Sequence, residues 1–327
     1  VRIGLVYDRK EDYLALGFSA EDVMEFDGED TVAGLAAGLA SLGHLVDRVG
    51  RGVELARRLV AGDRWDLVFN FAEGVRGRSR EAQVPALCEL FDQPYCLADP
   101  LTCALTLDKA MAKRVVRDHG LPTAPFALVS SPDEAGRVEL TPPLFVKPYA
   151  EGSSKGVTGR SYVGNRTELR PACAELIALF NQPVLVERYL PGREFTVGVV
   201  GNGVEARVVG VMEVLITAGA ETHSYTALNK DEYLERVTYR LIDGEPLAEE
   251  CRRVALGAYH ALGCRDAARV DLRCDEQGIP CFLEANPLPG LNHVRSDLPI
   301  MTRLAGRTYG ELLGWILEAA ARRCGLH

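Results

Sequence analysis

Ala268-Arg269-Val270-Asp271-Leu272-Arg273-Cys274-Asp275-Glu276-Gln277-Gly278-Ile279-Pro280-Cys281-Phe282-Leu283-Glu284-Ala285-Asn286-Pro287-Leu288-Pro289-Gly290 reads as two short strands. They run from Arg269 to Cys274 and from Ile279 to Glu284, joined by the polar Asp-Glu-Gln-Gly turn that a hairpin needs. With a turn of two or four residues, paired residue numbers sum to a constant, which sets Asp271 opposite Phe282 and Arg269 opposite Glu284. Side chains alternate between faces, so Arg269, Asp271 and Glu284 then share one face and Asn286 follows on it. An odd turn would break this arrangement. The same pattern also describes a solvated hairpin face. The otherwise apolar strands favour a counter-charged site instead, because like carboxylates held side by side need a cation. Hard oxygen donors without His or Cys suit Mg²⁺ better than zinc.

The chain has 327 residues, more than one hydrophobic core usually serves, so two or three domains are expected. Its hydrophobic content of 47% is that of an ordinary globular protein, and its formal charge of -9 argues against a nucleic-acid or acidic-membrane partner. No apolar run approaches the roughly 18 residues of a membrane span, and Val1 opens directly into a strand without the sections of a signal peptide. The nine cysteines are scattered and never spaced Cys-x-x-Cys, so neither a disulfide framework nor a zinc site is expected. A cytoplasmic location fits these features. Among 37 basic residues only six are lysines, at 10, 109, 113, 147, 155 and 230, so a lysine is not the default cation.

From Val1 to about Pro100, strand and helix alternate: Val1 to Tyr7 extended, Asp30 to Leu42 helical, His44 to Val49 extended, Val53 to Val60 helical. Trp65 to Phe71 then reads as a buried strand and Ser79 to Phe91 as a helix with Ser79 at its N-cap. The pattern predicts an α/β layer with a parallel sheet. Tyr7-Asp8-Arg9-Lys10 follows the first strand where a dinucleotide fold would carry Gly-x-Gly-x-x-Gly, which disfavours a dehydrogenase. Glu11 to Glu29 is acidic and weakly periodic, and reads as a long loop.

After Asp99-Pro100, Leu101 to His119 reads as one helix with Lys109 and Lys113 on a shared face, either solvated or beside phosphate. Leu144 to Pro148 is a strand with Lys147 among apolar neighbours, which is costly unless the charge is paired. It leads into Glu151-Gly152-Ser153-Ser154-Lys155-Gly156, a loop able to offer N–H groups and hydroxyls to a polyphosphate but lacking the Walker A pattern. Pro183 to Tyr189 and Glu194 to Val200 read as strands, with Glu187 and Glu194 placed to hold a ribose or an adenine amino group. Glu221 to Tyr239, with Lys230, reads as a mobile substrate loop. Leu247 to Leu262 and Tyr309 to Arg323 read as helices.

Five motifs occur in order: Leu107-Asp108-Lys109; Phe145-Val146-Lys147-Pro148 with the Gly-Ser-Ser loop; Val186-Glu187-Arg188-Tyr189-Leu190-x-Gly-x-Glu194-Phe195-Thr196; Arg269-Val270-Asp271; and Leu283-Glu284-Ala285-Asn286-Pro287-x-Pro289-Gly290. Together, over about residues 60 to 310, the chain resembles the D-alanine:D-alanine ligase family of the ATP-grasp superfamily. The resemblance implies two α+β domains clasping ATP, preceded by a Rossmann-like parallel α/β domain. The expected divisions are 1–100, 101–188 for the ATP-binding domain and 189–327 for the catalytic, metal-binding domain. It also implies attack of a carboxylate on the γ-phosphate, giving an acyl phosphate that an amine converts to an amide.

By the same resemblance, Lys109, Lys147, Ser153 and Ser154 would contact the phosphates of ATP. Glu187, Tyr189, Leu190 and Glu194 would hold its adenine and ribose. Asp271, Glu284 and Asn286 would bind Mg²⁺ or Mn²⁺. Arg269 and the Gly290 N–H would stabilise the oxyanion, with Ser153 orienting the reacting groups. Lys230 and Ser296 would hold the carboxylate of the second amino acid. Homodimers through the N-terminal domain are common in that family. The N-terminal segment departs from the family's motifs: Glu29 is the nearest candidate for the substrate's ammonium, and Arg76, Arg78 and Arg80 border the presumed pocket, which suggests a more anionic or longer substrate than D-alanine. The expected substrates are amino acids or small peptides. A catalytically silent ATP-binding sensor or partner subunit is the alternative.

Overall fold

The first apolar run forms β1 (Arg2–Tyr7), the middle strand of a parallel sheet with β2 (Leu45–Gly50) and β3 (Leu67–Phe71) on either side. This computed structural model describes residues 1–152, 155–216 and 237–326. β1 and β3 are buried along almost their whole length, so they read as apolar runs without alternation. Parallel neighbours need crossovers, and α2 (Glu29–Ser41) and α3 (Gly52–Val60) supply them. The segment expected as a loop after β1 begins instead with α1 (Lys10–Ala15). Tyr13, Val23 and Phe26 are buried there as a small cluster, and the Tyr13 hydroxyl donates to Asp8 at 2.6 Å, which gives this acidic segment a core of its own. The helix expected from Ser79 is a 3₁₀ turn at Arg80–Ala82 followed by α4 (Gln83–Leu90), and the Ser79 side chain makes no capping bond.

The single helix expected from Leu101 to His119 is two. α5 (Pro100–Leu107) is capped by Asp99, which accepts from the Thr102 N–H, and α6 (Lys109–Asp118) by Asp108, which accepts from the Met111 N–H at 3.0 Å. Asp108 is extended (φ -80°, ψ 91°), so Lys109 is the first residue of a new helix. Next comes an antiparallel sheet of order β4-β7-β5-β6, made of Phe126–Val129, Val184–Arg188, Leu144–Pro148 and Tyr162–Val163 and covered by α7 (Arg166–Phe180).

A five-stranded antiparallel sheet of order β10-β9-β8-β11-β12 completes the chain. Its strands are β8 (Glu194–Val200), β9 (Arg207–Ile216), β10 (Val237–Leu241), β11 (Ala267–Cys274) and β12 (Pro280–Asn286). The polar loop expected through Tyr239 thus ends before Val237, and the rest of it lies outside the described residues. The helices of this part are α8 (Pro246–Ala261), α9 (Asp297–Leu304) and α10 (Tyr309–Cys324). Two cores tie distant segments together. Ile3, Leu35 and Phe69 pack with Leu312, Leu313 and Ile316 of α10, while Ala112 and Val116 of α6 pack under the five-stranded sheet with Phe195 and Phe282. Among the described residues no helix is long and apolar enough to cross a membrane.

The β11–β12 hairpin corrects the expected register. Cys274 pairs with Pro280, leaving an odd, five-residue connection, and the sum of paired numbers is even as far as Leu272 and Phe282. A bulge then leaves Leu283 unpaired, after which Asp271 pairs with Glu284 and Arg269 with Asn286. The odd turn alone would have sent Glu284 to the other face relative to Asp271. The extra residue restores the parity, so Arg269, Asp271, Glu284 and Asn286 do share one face.

Candidate functional site

Lys109 opens α6 at the point where the Asp108 break turns the chain, and its ammonium bonds the Glu151 carbonyl and lies 3.2 Å from Glu284 Oε2. Lys147 projects from β5 to Glu187 Oε1 at 2.9 Å, and Lys113, one helical turn beyond Lys109, reaches Glu187 Oε2 at 3.1 Å. Burial alone would push the Glu187 carboxyl up, but Lys113 and Lys147 together hold it below the usual range. Burial lowers the Lys113 ammonium, whereas Glu187 keeps Lys147 above its ordinary value against the same burial. Lys113 also donates to Thr123 Oγ1 at 3.0 Å and the Phe282 carbonyl at 3.1 Å. The four-residue spacing that pairs Lys113 with Lys109 does not by itself show that Lys113 turns inward. Its apolar neighbours Ala112 and Val116 were the available signal.

Lys109, Lys147 and Glu187 line a narrow cleft of about 100 Å³ between the two antiparallel sheets, together with Tyr189, Leu190, Glu194 and Asp271. Tyr189 stands edge-on to Tyr162 with ring centroids 5.0 Å apart, and Arg273 lies over its ring and 3.2 Å from Glu194. Arg273 is a further wall residue that sequence reading missed.

A second, wider cavity of about 570 Å³ adjoins the first and shares Lys109, Glu151, Glu284 and Asp297 with it. Its wall carries Arg269, Asn286, Gly290 and Ser296. Arg269 donates from Nε and Nη2 to the two Asp271 oxygens at 3.0 and 2.9 Å, and from Nη1 to Asp297 at 3.1 Å. Burial opposes its charge, but Asp271 and Asp297 outweigh burial and keep it protonated. Three of its five N–H groups are thus used, leaving two for a ligand. The Thr196 hydroxyl and the Asn286 amide also donate to Asp271. Gly290 approaches Ser296 so closely that a Cβ on it would meet Ser296 Oγ at 2.8 Å.

The donor set fits a hard divalent cation. Asp271 and Glu284 are cross-strand partners and Asn286 follows on the same face, giving two carboxylates and an amide oxygen. Mg²⁺ is commonly bound by one or two carboxylates with substrate phosphates and water completing its shell. No group of three His, Cys, Asp or Glu side chains that could hold a metal occurs among the described residues, so such a site needs oxygens from the substrate.

Other expectations fare differently. Glu29 lies on the outer side of α2, paired with Arg9 at 2.6 Å and Arg48 at 2.8 Å, which hold it below the usual carboxylate range, and it does not line the cavity. Its neighbours Glu25, Asp27 and Asp30 do. Arg76, Arg78 and Arg80 do not line the cavity either. Arg76 covers the Phe18 ring, Arg78 pairs with Asp108 at 2.7 Å, and Arg80 is buried against Glu25 at 2.9 Å and the Ala150 carbonyl. The anionic-substrate expectation built on these arginines is therefore corrected: the wall carries eight carboxylates, against the basic side chains of Lys10, Lys109, Arg269 and Arg295. Ser153, Ser154 and Lys230 lie outside the described residues.

Comparison with known proteins meets this geometry from another side. The family model described as the D-ala D-ala ligase C-terminus matches residues 115–318. A D-alanine–D-alanine ligase from Parvibaculum lavamentivorans is 33% identical over 312 residues, 93% of this chain and 95% of that protein. One from Bordetella petrii is 34% identical over 315 residues, 95% and 91% of the two chains. The fold matches the crystal structure of D-alanine–D-alanine ligase from Bacillus anthracis complexed with ATP, at a TM-score of 0.73 and 23% identity over 99% of this chain and 98% of that one. With sequence and fold in agreement over nearly its whole length, the chain belongs to the D-alanine–D-alanine ligase-like branch of the ATP-grasp superfamily and is an ATP- and Mg²⁺-dependent ligase forming C–N bonds between carboxylates and amines.

Proposed function

We propose that the chain joins two amino acids or small peptides through an acyl-phosphate intermediate, with residues 1–100 walling the substrate cavity, 101–188 holding ATP and 189–327 carrying the catalytic and metal-binding groups. The observation that carries this reading is the meeting of the two cavities at the Lys109–Glu284 pair, 3.2 Å apart, where a phosphoryl group leaving the narrow cleft would face a carboxylate in the wider one. ATP would lie with its adenine and ribose against Glu187, Tyr189, Leu190 and Glu194, and its phosphates at Lys109, Lys147, Ser153 and Ser154. Asp271, Glu284 and Asn286 would hold Mg²⁺, which when bound neutralises phosphate charge.

A substrate carboxylate oxygen attacks the γ-phosphorus, the β,γ-bridging bond breaks, and ADP leaves. Lys109 offsets the charge on the transferring oxygens. An amine then attacks the acyl carbon, loses its proton, and expels inorganic phosphate. The two N–H groups that Arg269 keeps available, with the Gly290 N–H, stabilise the oxyanion of that step, a contribution typically worth about 10²–10³ in rate. Lys230 and Ser296 would orient the attacking amino acid through its carboxylate. The test is phosphate release from ATP and Mg²⁺ against a panel of D- and L-amino acids and dipeptides, with products identified by mass spectrometry. Release that depends on an added amino acid, with a matching amide product, is expected. ATP binding without release in any combination would refute the ligase assignment.

A further inference from the structure

Two carboxylates in the wall of the wider cavity are left over when its charges are paired. Glu25 is held by Arg80 at 2.9 Å and by the Gly152 N–H at 2.6 Å, and Asp27 and Asp30 share Arg295, each at 3.0 Å. Nearer the narrow cleft, Glu151 has Lys155 at 3.4 Å, Glu284 has Lys109 at 3.2 Å and Asp297 has Arg269 at 3.1 Å. Glu73, just beyond β3, and Glu81, in the turn before α4, line the same cavity, and the side chain of neither forms a hydrogen bond or ion pair with a described residue.

The pair is also crowded by like charge. Burial first, then Glu25, Glu81 and Asp27, push the Glu73 carboxyl well above its ordinary value. Glu81 is pushed up to about 7, chiefly by burial and then by Glu25 and Glu284, with Arg80 and Lys109 opposing. Arg80 is already committed to Glu25 and the Ala150 carbonyl. Lys10, the remaining ammonium on the wall, is not among the charges that act most strongly on either group. A ligand must supply what the protein does not. The α-ammonium of an amino acid would satisfy one of the two carboxylates and leave the other without a partner, a costly state in a recessed wall. A metal ion is a poor candidate, since no three acidic, His or Cys side chains able to hold one come together among the described residues. A volume of about 570 Å³ leaves ample room for a side chain longer than a methyl group.

We propose that the wider cavity takes an amino acid bearing a second cationic group on its side chain, an α,ω-diamino carboxylic acid, whose two ammonium groups are read by Glu73 and Glu81. The proposal rests on the ligase reading above and adds the substrate class to it.

The test measures kcat/KM for ornithine, lysine and 2,4-diaminobutyric acid against alanine, both enantiomers of each, with ATP, Mg²⁺ and a fixed second amino acid. It is run on the wild-type protein, Glu73→Gln and Glu81→Gln. The expected result is a preference for one diamino acid over alanine of roughly 30-fold or more, the scale set by a desolvated charge pair. Each variant should cut that preference at least about 10-fold, and, with like-charge repulsion relieved, should melt no lower than wild type. Amide formation with alanine as good as with every diamino acid, unmoved by either variant, would overturn the proposal while leaving the ligase reading intact. A diamino preference that both variants retain would take the reading role away from Glu73 and Glu81. A weakened Mg²⁺ dependence in the variants at an unchanged preference would assign the two acids to metal instead. No amide with any acid would instead bring down the ligase reading itself.

Discussion

At the scale of single residues, the site is organised by cations that the fold buries next to acids. Lys113 is 0% exposed, and with Lys147 it clamps the two oxygens of Glu187. Neither lysine belongs to a surface, so each contributes to the placement of Glu187 as well as to local charge balance. Lys113→Met should leave Glu187 on Lys147 alone. The expected result is a loss of about 3 kcal/mol in chemical denaturation, the scale of a broken buried pair, and a KM for ATP that rises more than kcat falls. An unchanged KM with the same stability loss would mark Lys113 as purely structural. This residue shows what sequence spacing conveys and what it omits. Four-residue spacing put Lys109 and Lys113 on one face, but whether that face meets water depends on β12, whose Phe282 carbonyl Lys113 bonds from 169 positions away. Gly290 and Ser296 were legible only through family resemblance. Their contact follows from the turn between β12 and α9, which no periodicity describes.

Among elements, the two most consequential features are small irregularities. The Leu283 bulge keeps Asp271 and Glu284 on one face despite an odd turn, and the break at Asp108 brings Lys109 to a helix start beside the Tyr149 carbonyl, which accepts its N–H at 3.0 Å. Asp108→Ala removes the cap on the Met111 N–H and the partner of Arg78. A loss of about 1 kcal/mol in thermal or chemical unfolding is expected, as for other N-caps, with a fall in turnover as Lys109 loses its fixed origin. Wild-type turnover in a destabilised variant would show that Lys109 is positioned otherwise. The regular parts of this picture were readable. Apolar runs gave β1, β3, β7 and β8 nearly to the residue, since buried strands have little choice of composition. The irregular parts were not. An Asp that caps a second helix looks the same in sequence as an Asp inside one, and α1 is held by the packing of Tyr13, Val23 and Phe26 rather than by propensity.

On the scale of the whole molecule, charge is distributed unevenly between the two cavities. The narrow cleft gathers Lys109, Lys147 and Lys155, while the wider cavity carries an acidic excess where Arg76, Arg78 and Arg80 were expected, because those arginines are adjacent in the chain to the pocket but their side chains do not line it. The raised carboxyls make a thermodynamic prediction. Folded Glu81 holds its proton up to about 7, whereas the unfolded chain releases it near 4.5, so between those values the native state binds more protons. Stability of the unliganded protein should therefore fall as pH rises from about 4.5 to about 7, and Glu81→Gln should flatten that fall. A melting temperature with the same pH slope in both proteins would contradict it. The three-sheet arrangement that creates the two cavities was legible from alternating elements and ordered motifs. Their contact at Lys109 and Glu284 was not, because it depends on how α6 packs under the five-stranded sheet. The most direct measurement of the central claim, phosphoryl transfer to a substrate carboxylate at that contact, is isotopic. With the acyl-donating amino acid carrying ¹⁸O at both carboxylate oxygens, turnover should place one ¹⁸O in each inorganic phosphate released, because the attacking oxygen leaves with phosphorus when the amide forms. Phosphate free of the label, released alongside amide product, would contradict the account.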